Sequence, residues 1–262
     1  MTLFKLQPGT TPLLVNVPHS GTVLPEAIAA RMTPLARTLP DTDWYVDRLY
    51  DFATAMGAGM LVASHSRYVV DLNRPPDDAA LYNTRTTGLV PVETFDGEAL
   101  YRPGQAPDAD EIAERRDRYW APVHDALAAE LARLRAQHGY AILLDAHSIR
   151  GEVPALFDGV LADLNLGSHG GRSAAPGLVD LSMDVFRQSA SHTAVLDGRF
   201  KGGYNTRHYG QPGQGIHALQ MEMPQRLYMS EAPPAWEDAR AAGVVPLLRQ
   251  WLQALLDWRP EE

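Results

Sequence analysis

Two apolar runs in this 262-residue sequence lead into a histidine. Leu13-Leu14-Val15-Asn16-Val17 passes through Pro18 to His19-Ser20-Gly21, and Tyr140 to Ala146 (YAILLDA) runs directly into His147-Ser148. Short apolar runs of this kind read as buried strands. In open α/β sheets, ligands bind beyond the carboxyl ends of the strands, so both rings stand where a crevice should form. Neutral imidazole is the commonest metal ligand. Two histidines and a carboxylate, with water in the fourth position, make a hydrolytic zinc site. The acid is offered by Asp41-Thr42-Asp43-Trp44-Tyr45-Val46-Asp47, in which Asp41, Asp43 and Asp47 are all eligible. Each is equally suited to the start of a helix, as a cap or first-turn acid. The plainer alternative for each histidine is a packed, hydrogen-bonded ring.

Glu222 stands in Gln220-Met221-Glu222-Met223, near the end of an otherwise apolar run before Pro224. A carboxylate in a buried strand is costly unless paired. Desolvation raises its pKa, which suits a general base working near neutrality; a salt bridge to an arginine is the competing reading. Of 23 basic residues only Lys5 and Lys201 are lysines, and arginine forks bind carboxylates in bidentate fashion. Arg67, Arg74 (beside Asn73) and Arg207 (near Asn205 and His208) are candidate readers of an anionic substrate. Arg150, in the segment after His147, is a candidate for stabilising an oxyanion.

Elements must position these groups. Strands are expected at Leu13–Val17, Met60–Ala63, Tyr68–Leu72, Tyr140–Ala146, Ala155–Leu161, Thr193–Leu196 and Ile216–Met223. Helices are expected over Asp43–Met56, Asp108–Gln137, Leu178–Ser191 and Trp236–Trp258, from apolar spacing and closing glycines. Arg74–Pro107, rich in proline, reads as a long functional loop, and Gly198–Gly215 as a second polar one. The alternation implies one α/β domain over residues 1–262, with a mixed sheet covered on both faces.

Composition narrows the function classes. Hydrophobic residues at 45% and charged residues at 21% describe a globular chain. The absence of cysteine excludes disulfides, thiolate zinc sites and cysteine nucleophiles. A net charge of −9 argues against nucleic acid as a partner. No apolar run approaches a membrane span, and Met1–Gly9 lacks the regions of a secretory signal, so a cytoplasmic protein is expected. No GxSxG elbow, Walker loop or dinucleotide fingerprint is present.

Six segments together carry a resemblance: VNVPHSG (Val15–Gly21), DTDWYVDRLY (Asp41–Tyr50), SRYVVDLNRP (Ser66–Pro75), LLDAHSIRGEVPALFDG (Leu143–Gly159), GGYNTRHYG (Gly202–Gly210) and LQMEMPQRLYM (Leu219–Met229). In this order, spanning nearly the whole chain, they resemble the N-formylglutamate amidohydrolases. One departure is Ala174, where the family often has cysteine. The resemblance implies a three-layer α/β/α fold of the phosphorylase/hydrolase-like kind, related to zinc exopeptidases of the carboxypeptidase type. It implies one divalent metal ion, zinc in the first instance, and hydrolysis of N-formyl-L-glutamate to formate and glutamate in histidine breakdown. Carried over by position, His19 and His147 are metal ligands and the acidic ligand falls at Asp43, with Asp41 and Asp47 as near alternatives. Glu222 takes the place of the base, and Arg74, Arg207, Asn73 and Asn205 become substrate-binding residues. Another N-acyl amino acid as substrate, or a non-catalytic carboxylate-binding protein, are the rival expectations.

Overall fold

The apolar runs pair into a sheet whose central strands are buried on both sides, as near-continuous hydrophobic strands require. The computed structural model describes residues 2–80 and 86–260. Among these, seven strands form one mixed sheet: β1 (Phe4–Gln7), β2 (Leu13–Val17), β3 (Gly59–Ala63), β4 (Ala141–Ile149), β5 (Leu164–Gly167), β6 (Ala194–Leu196) and β7 (Ile216–Pro224). Their spatial order is β1-β3-β2-β4-β7-β5-β6. The four central strands β3, β2, β4 and β7 are parallel, while β1 and β5 run antiparallel to β3 and β7. Strands β8 (Met229–Glu231) and β9 (Pro234–Trp236) form a separate hairpin. The α-helices are α1 (Glu26–Ala29), α2 (Val46–Leu49), α3 (Ala109–Arg115), α4 (Ala121–His138), α5 (Pro176–Arg187), α6 (Tyr204–Tyr209) and α7 (Asp238–Asp257).

Side chains alternate across a strand, and here the alternation separates two cores. Val15, Ile142, Leu144, Ala146, Leu219 and Met221 pack beneath α5 and α7, against Phe186, Leu248 and Trp251. Leu14, Leu143 and Ala218, on the opposite face, pack against Leu127, Leu131 and Leu134 of α4. Helices therefore cover both faces, giving the α/β/α arrangement.

Several expected elements differ. Tyr68–Leu72 is a buried turn, not a strand; β3 already has β1 and β2 on its two edges, so no free edge remains beside it. Ala155–Leu161 is also a run of turns, closed by bonds from Leu156 and Phe157 N–H to Val153 O, and the strand lies later, at β5. The helix expected from Asp43 begins only at Val46, because Tyr45 has a left-handed backbone (φ 60°) that no helix continues through. The long helix near 108–137 forms as α3 and α4 joined by a π-helical turn at Arg116–Trp120. Gly198–Gly215 contains α6. The described part of Arg74–Pro107 is irregular, as expected, with isolated bridges only.

Candidate metal centre

His19 follows β2 by two residues, and His147 lies near the carboxyl end of β4, on the same face as Asp145. The Asp43 N–H donates to His19 O (3.1 Å), so the left-handed turn at Tyr45 holds Asp43 in a loop beside His19. Among the described residues, one ligand atom from each of His19, Asp43 and His147 falls within 4.8 Å of the others, and all three side chains are buried. Asp43 Oδ2 is 3.0 Å from His147 Nδ1 and 3.7 Å from His19 Nδ1.

The outer ring nitrogens have their own partners. His19 Nε2 lies 2.8 Å from Asp71 Oδ1, and His147 Nε2 lies 2.8 Å from Asp145 Oδ2. A carboxylate only accepts, so His19 carries a proton on Nε2 and turns Nδ1 inward, while the His147 ring lies between two carboxylates, Nε2 towards Asp145 and Nδ1 inward towards Asp43. This carboxylate–histidine pairing fixes tautomer and ring orientation around metals. Asp71 is itself held by the Arg67 guanidinium (2.6 Å) and the Asn73 N–H (2.9 Å), and Asp145 by the Asn16 and Asn205 carboxamides (2.8 and 3.0 Å). His19 Nδ1 is buried with no hydrogen-bond partner, a state that is costly unless something else binds it. Two inward imidazole nitrogens and a carboxylate oxygen fit a divalent cation.

Charge in the site is set by burial and by these partners. Burial opposes the Asp43 charge, but the adjacent His147 and His19 rings outweigh it and hold the carboxyl below the usual range. Burial likewise works against Asp71, and Arg67 and His19 hold it well below. Glu222 lies directly across from His147 in the β4–β7 register. Burial pushes its carboxyl up to about 8, with the His147 charge opposing and Asp43 reinforcing. Glu222, His19, Asp43 and His147 all line one cleft.

The structure separates the other candidates. Arg74 and Asn73 line the cleft; Arg74 also donates to Thr87 O (2.7 Å), Asn73 O (3.0 Å) and Thr86 Oγ1 (2.8 Å). Asn73 approaches closely because residue 203 is glycine, where any side chain would collide with its carboxamide. Asn205 is buried against Asp145, and Arg207, which donates to Gly202 O (2.8 Å), lies outside the cleft lining. Arg150 pairs with Asp96 (2.7 Å) and also lies outside it. Of the alternative acids, Asp41 accepts from Tyr68 OH (2.7 Å) and Phe95 N–H (2.9 Å), and Asp47 is exposed. Arg67 is buried, with its charge directed at Asp71 and Asp43. Sequence reasoning gave no role to Asp71, Asp145 or Arg199, the last also in the cleft wall. Asp145, two residues before His147 on one strand, was findable from the strand period alone.

The profile of the N-formylglutamate amidohydrolase family matches residues 11–229. The chain belongs to that family. It is 51% identical to the N-formylglutamate deformylase of Pseudomonas aeruginosa over 254 residues, covering 97% of this chain and 96% of that one. The N-formylglutamate deformylase of Pseudomonas putida is 47% identical, covering 97% and 95%. Among solved structures, an N-formylglutamate amidohydrolase from Ralstonia eutropha superposes with a TM-score of 0.82 at 26% identity, covering 98% of this chain and 96% of that one. A gene product from Agrobacterium tumefaciens shares the fold, with a TM-score of 0.72 at 18% identity, covering 97% and 95%. The mixed sheet with flanking helices is thus the fold of N-formylglutamate amidohydrolases, and the candidate centre sits at its carboxyl-end crevice. Among the described residues no helix is long and apolar enough to cross a membrane.

Proposed function

We propose that this chain hydrolyses N-formyl-L-glutamate to formate and L-glutamate as a cytoplasmic step of histidine breakdown, acting as one catalytic unit. The observation that carries the reading is the convergence of His19, Asp43 and His147 within 4.8 Å, with Glu222 across from His147. We assign the cation to zinc, the metal most at home among two imidazoles and a carboxylate. A cation held there supplies Lewis acidity, which acidifies water and polarises a carbonyl.

The chain's own residues do the rest. Glu222, desolvated and in the cleft, accepts the proton of the attacking water and returns it to the leaving amide nitrogen. Asp71 and Asp145 keep both Nδ1 atoms aimed inward while the rings work. Arg74, in the cleft wall, is assigned to a substrate carboxylate, which orients the formyl group beside Glu222. The net charge of −9 offers no long-range attraction for an anion, so recognition must be local. Kinship with zinc exopeptidases of the carboxypeptidase type belongs to the same proposal. It is supported by parallel central strands that deliver ligands at their carboxyl ends.

Elemental analysis of the purified protein, combined with a formate-release assay on N-formyl-L-glutamate, tests this reading. Near-stoichiometric divalent metal, with turnover lost on chelation and restored by zinc, is the expected result. Full turnover in a metal-free protein would refute it.

A further inference from the structure

One buried group in the cleft wall has no role in the chemistry above. Gln220 is 3% exposed, lies two residues before Glu222 on β7, and so points to the same face of the sheet. Its register partner on β4 is Asp145. The Gly203 N–H donates to its Oε1 at 2.7 Å. An N–H can be accepted only by the amide oxygen, so this bond settles which end of the carboxamide is which. Nε2 is left facing the cleft that Gln220 lines, and among the described residues nothing accepts from it. In a cleft wall such an amide donor is open to an acceptor that a ligand supplies.

Resting on the proposed function, we infer that Gln220 is a specificity-determining residue, whose Nε2 donates to a carboxylate oxygen of the acyl amino acid. The substrate offers two carboxylates. One is separated from the formyl carbon by the amide nitrogen and a single carbon, the other by two further methylenes. Residues two apart on a strand are spaced by roughly 6.5 Å, and Gln and Glu side chains have equal length. The two side chains therefore leave the strand about one pleat apart on one face and line the same cleft, so a substrate reacting beside Glu222 carries its carboxylates past Gln220.

The test uses the metal-loaded protein and Gln220→Met, which keeps the side-chain length and removes the amide. Wild type and variant are assayed on N-formylglutamate, on N-formyl-2-aminobutyrate (no side-chain carboxylate) and on N-formyl-4-aminobutyrate (no α-carboxylate). A slow analogue is read instead as a competitive inhibitor of N-formylglutamate turnover. For N-formylglutamate the variant should raise KM about tenfold to a hundredfold, the range for a hydrogen bond to a charged group, with a smaller change in kcat. The penalty should vanish on one truncated analogue, which identifies the carboxylate that Gln220 reads. An equal penalty on all three compounds, or none on any, overturns the inference. Equal loss would mark a structural or oxyanion role. Wild-type turnover of N-formylglutamate reports separately on the proposed function, so the two failures are distinguishable.

Discussion

The two faces of the central strands carry opposite chemistry from one alternating sequence. Towards α5 and α7, the rows Ile142, Leu144, Ala146 and Leu219, Met221, Met223 are apolar from end to end. Towards α4, Leu14, Leu143 and Ala218 are apolar only at the amino ends of the strands. Beyond them the same rows become Asn16, Asp145 and His147, and Gln220 and Glu222, all buried. The first face holds the sheet together. The second uses that stability to keep desolvated polar groups in place, which they could not sustain alone. Because the period is two, a slip of one residue would exchange the faces. Register therefore protects the site as much as any bond within it.

The sharpest contrast comes from one substitution on the polar face. Glu222→Gln preserves shape and removes the proton acceptor, so kcat should fall about a hundredfold to ten-thousandfold with metal content and unfolding midpoint nearly unchanged. Stopped assays of formate release with elemental analysis check this, and wild-type turnover by the variant would remove Glu222 from the chemistry. On the apolar face the balance should invert. Leu144→Ala opens a cavity under α5 and α7 and should cost about 2–5 kcal/mol of stability, read by denaturant titration, while kcat per folded molecule stays within a few-fold. A large loss of kcat in still-folded Leu144→Ala would show that the faces are not separable.

Asp145→Asn probes the boundary between the two roles. The amide cannot accept the His147 Nε2 proton as a carboxylate does, and loss of such partners weakens metal affinity about tenfold to a hundredfold. Competition with a chelator measures it. A larger loss of stability than of metal affinity would place Asp145 with the scaffold instead.

How much of this was legible in the sequence follows from the same division. Strands β2, β4 and β7 were readable because each is a dense apolar run, and His147 and Glu222 because a polar residue in such a run is conspicuous. Asp43 was not separable from Asp41 and Asp47, since its selection depends on a left-handed turn at Tyr45 that no periodicity announces. Asp71 escaped for a related reason. Tyr68–Leu72 has the composition of a strand, and only the occupied edges of β3 force it into the turn that aims Asp71 at His19. The arginines were the least legible. Arg74 and Arg199 enter the cleft while Arg207 and Arg150 do not, a distinction made by tertiary packing of loops and not by residue type.

The last and smallest effect concerns how dry α4 keeps the polar face. His124 on α4 is buried, stacked on Trp120 with ring centroids 3.7 Å apart. Nε2 lies 3.0 Å from Leu72 O and Nδ1 lies 2.8 Å from Tyr209 OH, an arrangement that suits the neutral ring. Burial pushes its pKa down to about 3, the Leu72 carbonyl opposing and His208 assisting. An unfolded histidine titrates near 6.5, so between these values the unfolded chain binds a proton that the folded one refuses. The contribution of the neutral ring is complete above about pH 6.5 and is lost as pH falls towards 3, at about 1.4 kcal/mol per pH unit. His124→Gln should flatten the decline in stability between pH 6 and pH 4.5 by that slope, measured by denaturant titration at each pH. Parallel curves for the two proteins would mean that the ring takes up its proton while folded, and that water reaches the helix side of the sheet.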